Sequence, residues 1–413
     1  MSTLQTTNLK HPDSSGTQVT FTSGGDTTVA GSTTFSSPIK ASKLENASTT
    51  NGGVEIDADG HVQVDGQQLP TTGSFGTRSM IINGDMVVAQ RGASHTSEDG
   101  QNNYGIDRFK VVCPNTDAVL AHTQESSGGP EGFKYWLKIT PTTADTAIGA
   151  DNYSTVQQII EGSNFVSARY GTSEAKRLAI SFKFKTNKAG TYCMIHRNQT
   201  ANRNFLHEFT PVADGNWQTI SYSIPGDTTG TWQTNNDIGW RFELCLANGS
   251  SFQSSTTESW FSGQYFHSTP SQVNFLDNTG NELGITAVQV ELGEKSTPFE
   301  FLPFDQALLR CQRYYYTEST GRYVNGYKRH DDNCYWKIYT PVSMRTSPTA
   351  TLVTSGTFTN FNSNFSTTQT DPNVFEYSTS SASGVLNVES DFSSTHVSIP
   401  SWEGYVLQYA AEL

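Results

Sequence analysis

The sequence predicts an all-β protein, and three observations carry that reading. Its apolar residues are concentrated in Phe, Tyr, Trp, Val and Ile, which suit a pleated surface. Short alternating runs of apolar and polar residues recur along the chain, many of them bounded by Gly, Asn, Asp or Pro. A helical period shows only near residue 304, and there for about three turns. The composition is 34% hydrophobic, which is low for a globular protein, yet 11% aromatic and only 16% charged, so it is not that of a disordered chain. Polar faces and long loops around β structure reconcile these values.

The chain divides by composition into residues 1–76, 77–304 and 305–413. The first zone, with "SSGTQVTFTSGGDTTVAGSTTFSS", has too few large apolar side chains to offset backbone ordering at about 1–2 kcal/mol per residue. It is expected to be an extended segment ordered by partner chains. Within it "VEIDADGHVQV" reads as a hairpin, with a three-residue loop at 58–60 opposing Ile56 to Val62 and Val54 to Val64. That register sets all four apolar residues on one face, whereas a two-residue Asp-Gly turn would oppose Ile56 to Gln63. A lone hairpin is marginal in water. Three copies around a threefold axis would bury the stripes together, so a homotrimer is expected.

In the second zone, "SMIINGDMVVAQRG" predicts a strand, a turn at Asn83-Gly84 and a second strand. The runs "YGIDRFKVV", "YWLKI", "VQQIIEG", "LAISFKFKT", "TYCMIHR", "WQTISYSI", "WRFELCLA" and "ITAVQVELG" follow. Their number and turn chemistry point to a central jelly-roll β-sandwich. The third zone opens on "DQALLRCQRYYY", where Phe304, Leu308, Cys311 and Tyr315 fall at helical spacing and Asp305 is placed as the N-cap. This short helical joint leads into a smaller C-terminal β domain, with strands in "NCYWKIYTPVSM", "TATLVTS", "NVFEYSTSS", "GVLNVESDF" and "EGYVLQYAAEL".

A net charge of −13 argues against a nucleic-acid groove, which needs clustered Lys and Arg. No run approaches the roughly 18 apolar residues of a membrane span, and the N-terminus has no secretory pattern. Five widely spaced cysteines form neither CxxC nor a Cys/His metal ladder, so buried free thiols and synthesis in a reducing cytoplasm are expected. G-x-S-x-G, H-E-x-x-H and P-loop motifs are absent from the sequence; neither catalytic residues nor a cofactor or metal site is assigned.

"INGDMVVAQRG" with "YGIDRF", and "VQVELGEKSTPFE" with "CQRYY", resemble a pattern of tail-fibre and adhesion proteins of tailed bacteriophages. In that family an "NGDF…QRG" strand and a "DRW"-like segment open a carbohydrate-binding-module-like jelly roll, and "QLE.G…TPFE…CQRYY" closes it. The match covers roughly residues 79–316, with Met86 and Phe109 standing where the family has other large apolar residues. The opening "LQTTNLKHPDSSG" is similar to openings of structural proteins of cyanobacterial viruses. The resemblance implies a virion fibre, made in the host cytoplasm, that attaches through residues 1–76 and recognises host surface polysaccharide or lipopolysaccharide. A purely structural head-decoration, collar or adaptor fibre is the alternative, and a polysaccharide depolymerase stands third.

For a glycan ligand, flat aromatic rings beside Asn, Gln and Asp are the residue types of choice, because sugar C–H faces stack on rings. "TWQTNNDIGW", "ESWFSGQYFHS" and "NCYWKIY" combine both types, giving Trp232, Trp260, Tyr265, Tyr335 and Trp336 as candidate ligand-binding residues. Trp240 is read as core, because it alternates with Phe242, Leu244 and Leu246. Asn83, Gly84 and Asp85 are read as a tight turn, with a structural calcium site as the alternative. Asp107 and Arg108 are read as a partly buried ion pair, and Glu291 and Glu300 as surface or strand-edge groups.

Overall fold

The computed structural model describes residues 77–97, 102–200, 202–263, 266–318, 339–349 and 408–412, and elsewhere the backbone of strands only. The chain divides into two compact units, Met1–Leu69 and Pro70–Leu413. In the first unit, strands Lys43–Glu45, Gly53–Ile56, Val62–Val64 and Gln67–Gln68 form one antiparallel sheet. Its hairpin pairs Val54 with Val64 and Ile56 with Val62, the register expected from the alternation.

The second unit holds the expected all-β sandwich. Its strands are β1 (Ser94–Ser97), β2 (Asn102–Tyr104), β3 (Lys110–Val112), β4 (Val119–Glu125), β5 (Trp136–Thr143), β6 (Tyr153–Glu161) and β7 (Leu178–Thr186). The series continues with β8 (Tyr192–Arg197), β9 (Arg203–Phe209), β10 (Gln218–Ile224), β11 (Ile238–Asn248), β12 (Phe261–Ser262) and β13 (Leu283–Leu292). One sheet has seven strands in the order β12-β9-β8-β11-β6-β3-β2, and the other has six in the order β10-β7-β13-β5-β4-β1. The chain passes repeatedly from one sheet to the other, as a jelly roll requires.

Period-two alternation places Leu178, Ile180, Phe182 and Phe184 of β7 between the sheets, with Trp240, Phe242, Leu244 and Leu246 of β11 in the same core. Strand β13 keeps its apolar face inward by a change of phase. Leu283 and Ile285 are buried, Ala287 takes a φ of 55°, and Val288 and Val290 then resume inward. The ladder with β7 shifts register there, as a bulge does.

The "SMIINGDMVV" segment corrects the sequence reading, because it forms no strand. Asn83 (φ 63°) and Met86 (φ 59°) adopt left-handed backbone, which a ladder does not accommodate. Side chains take over the backbone bonds: Gln158 accepts from Ile82 N and donates to Ile82 O. Asn83 donates to Val88 O and Asp107 O while accepting from Val88 N, so the tight-turn reading of Asn83 holds. A Cβ at Gly84 would lie 2.0 Å from Val288 O, so only glycine permits this approach.

The joint helix spans Phe304–Gln312. Pro303 occupies the N-cap position and Asp305 lies in the first turn, so Asp305 is not the cap. Ala307, Leu308 and Cys311 pack on Ile82 and Val88, whereas Phe304 is 57% exposed and leaves the expected apolar stripe. The chain continues as Tyr315–Glu318, paired with Val406–Ala410, which also pairs with Thr349–Thr354. A separate seven-stranded sheet contains Val324–His330 and Asn333–Tyr339.

Asp107 and Arg108 do not pair with each other. The Asp107 carboxylate accepts from Gln90 N and Nε2, at 2.6 and 2.7 Å. Arg108 donates to Ile159 O, pairs with Glu412 and lies 3.6 Å over the Tyr314 ring. Glu291 is buried rather than a surface group. It accepts from Thr297 N and Oγ1, and Glu300 accepts from Arg78 N and Ser79 N, which secures the Pro298 bend to the start of the domain.

Candidate functional site

The sequence-derived ligand candidates do not form one site among the described residues. Trp232 is a correction: it is only 8% exposed and joins the core against Phe165, Tyr170 and Trp260, so its faces are covered by protein. The loop carrying it folds inward, with its Nε1 donating to Thr229 O. Trp260 is half-buried, packs on the same core and donates to Pro225 O. Tyr265 lies outside the described residues. Tyr335 and Trp336 lie on the Asn333–Tyr339 strand, and their side chains lie outside the described residues. Trp240 is fully buried, as its alternation requires.

The outward face of the seven-stranded sheet gathers the polar groups that alternation had placed away from the core. Ladder register sets Tyr104, Lys110, Gln157 and Glu243 in one row across β2, β3, β6 and β11, ending at Ile195 on β8. The adjacent row holds Arg241, Arg197, Asn204 and Phe261 on β11, β8, β9 and β12. Cys193, Ile195, Leu206 and Cys245 form a small apolar cluster beside them, with Phe261 packed on it. His267 stacks on Tyr153 at 3.9 Å between ring centroids, and its Nδ1 stands 3.7 Å from Glu243 Oε2.

Electrostatics set the character of this face. Arg197 binds Glu243 through Nε and Nη2 at 2.8–2.9 Å, with Glu243 fully buried. Burial alone would raise the Glu243 carboxyl, but the Arg197 charge, His267 and Arg241 more than reverse it, holding it far below the usual carboxylate range. Burial, with Arg197 nearby, lowers His267 to about 4, so its ring is neutral at pH 7. Burial, then Arg241, lowers Lys110 to about 8. Several buried polar atoms here have no hydrogen-bond partner among the described residues: Arg197 Nη1, Arg241 Nε, Gln157 Oε1 and both ring nitrogens of His267. Orphans are rare in folded interiors, and because these atoms have almost no exposed surface their concentration in one patch marks a place for buried water.

Sequence reasoning missed this set. Arg241 and Glu243 look like ordinary solvent-side positions of "WRFELCLA". The available signal lay in their neighbours: Cys193, Ile195 and Cys245 occupy the same face and are apolar, so that face is not simply solvated.

No family model and no curated protein matches the chain. Among solved structures it is similar to the enzymatically active domain of tailspike protein 4 of bacteriophage CBA120. Identity there is 9% over 52% of this chain and 21% of that chain, with a TM-score of 0.27. It is also similar to TmCBM61 in complex with β-1,4-galactotriose (10% identity, 52% of this chain, 100% of that chain, TM-score 0.26). A third is the family 11 carbohydrate-binding module of a cellulosomal cellulase of Clostridium thermocellum (15% identity, 49% of this chain, 96% of that chain, TM-score 0.25). Similarities of this size establish no kinship, and the chemistry of the site rests on its own residues.

Proposed function

We propose that this chain is a bacteriophage fibre or adhesion protein that binds host surface glycan. The observation that carries the reading is the resemblance of residues 79–316 to phage tail-fibre and adhesion proteins, together with the two-sheet sandwich those residues form. The sequence resemblance of residues 79–316 to phage tail-fibre proteins supports a virion location, and the apolar-poor residues 1–76 support assembly as a homotrimer held to the particle by that segment. Three copies then raise weak single-site binding by effective concentration.

Binding of the full chain to arrayed host polysaccharide and lipopolysaccharide tests the reading, and no binding by the native chain argues against it. Solution mass tests the assembly: three chains of 45.2 kDa give about 136 kDa.

A further inference from the structure

An aromatic cluster at the Pro298 bend stands apart from the sandwich core. Phe133, Phe299 and Phe301 meet at 5.0–5.1 Å between ring centroids, edge-on or tilted. None of the three joins the core between the sheets or the cluster of Ile82, Val88, Ala307 and Cys311 under the helix. Phe301 is 57% exposed, Pro303 beside it is exposed, and Phe304 on the first helical turn is exposed to the same degree as Phe301. The two rings leave about 200 Å² of apolar surface in water within four residues of chain. A recess lined by Asp85, Val288, Phe299, Leu302 and Arg310 adjoins them. Exposed rings next to a recess are a surface that another protein covers.

The path of the chain identifies what covers it. Arg78 N and Ser79 N both donate to Glu300, between Phe299 and Phe301, and Arg78 Nη2 donates to Pro298 O. The domain is therefore entered at this very patch. The first compact unit ends at Leu69, and the seven residues 70–76 that follow it reach at most about 25 Å. Three first units bundled about one axis draw three entry points toward that axis, and the surface that accompanies each entry is the one the copies present to one another. Resting on the homotrimer reading above, we infer that Phe301 and Phe304 form the contact between neighbouring sandwiches, each copy's rings packing against the recess of the next. Contacts of this head-to-tail kind close into a ring under threefold rotation.

Cross-linking of the full chain tests the contact, after its mass in solution has been measured. Phe301→Cys and Phe304→Cys each place a thiol at an exposed position, so neither change disturbs the core, and the native chain gives the background from its own cysteines. A short bis-maleimide is expected to convert at least one variant into covalent dimers well above that background, and into nothing larger, because the third thiol of each trimer has no partner left. A variant that turns monomeric while the native chain stays trimeric supports the contact by its loss. A native trimer whose variants also stay trimeric and remain unlinked at both positions overturns the inference and leaves the homotrimer reading standing. A native mass other than about 136 kDa removes both.

Discussion

Substituting Glu243 by Gln removes one negative charge while keeping the shape of the side chain. Glu243 has no solvent exposure, and Arg197, whose side chain is 6% exposed, donates to it bidentately. With the charge gone, Arg197 and Arg241 face each other in the interior with no anion between them. Breaking a buried pair in this way costs about 3–5 kcal/mol, which for a domain of this size lowers the melting temperature by about 6–20 °C. Thermal unfolding followed by tryptophan fluorescence reads the effect, since five of the seven tryptophans (136, 217, 232, 240 and 260) lie in the sandwich. The pH dependence is a second readout. The folded carboxyl lies far below its ordinary value of 4.5, so its stabilisation is fully present above about that pH. It is lost only as pH falls toward the depressed folded value. The gap between native and variant protein should therefore stay constant from pH 8 to 5 and close in strong acid. A variant within about 0.5 kcal/mol of the native chain would refute the reasoning, as would a gap closing already between pH 7 and 6.

Four further outcomes are expected. Gly84→Ala forces a Cβ against Val288 O and should destabilise the domain by about 1–3 kcal/mol or more, read as a lower urea midpoint. Glu412→Gln leaves Arg108 buried without its anion, so amide exchange in the Val406–Ala410 strand should accelerate more than in Arg91→Gln, which removes only a half-buried partner. Burial raises the thiols of Cys113 to about 11 and of Cys193 to about 12, with Cys245 and Cys311 also well up, so at most one of the five cysteines should react with a disulfide reagent at pH 8 before unfolding. Burial, then Arg241, lowers Lys110 to about 8, so titration of its side-chain resonances should show a midpoint near that pH, well below that of an ordinary lysine.

The fold was legible wherever a strand buries one face. The alternation of Trp240, Phe242, Leu244 and Leu246 in β11, and the Val54/Val64 register of the first unit, follow from period two alone. It was illegible where side chains replace a ladder, as at Asn83 and Gln158, whose bonds to the backbone join positions far apart in sequence. The site was the least legible part. Trp232 looked like a loop residue and is core, because a loop can turn its ring onto Phe165 and Tyr170 without leaving any local periodic trace. Conversely, Arg241 occupies a solvent-side position of its alternation, and only the register across β8 and β11 shows it opposed to a like charge, Arg197.

The position of the family-like motifs explains why they speak for fold and not for ligand. "NGDMVVAQRG" and "DRF" lie some two hundred residues before "CQRYYY", yet the three meet in one place. Gln90 Nε2 donates to Tyr315 O, Arg91 lies 3.5 Å over the Tyr315 ring, and Arg108 lies over Tyr314. Arg313 and Tyr314 both donate to Glu161, at the end of β6. Burial raises that carboxyl, and these hydrogen bonds outweigh the burial, leaving it below its ordinary range. The motifs are therefore the two halves of one clasp, joining the start of the sandwich to the helix and to the final strand through Glu412. A clasp constrains the frame and leaves the middle of the chain unconstrained, and there Gln157, Arg197, Arg241 and Glu243 lie, on β6, β8 and β11. Chains sharing this clasp should accordingly share the sandwich while differing in the strands and loops between its halves, so ligand identity is not to be sought in the motifs.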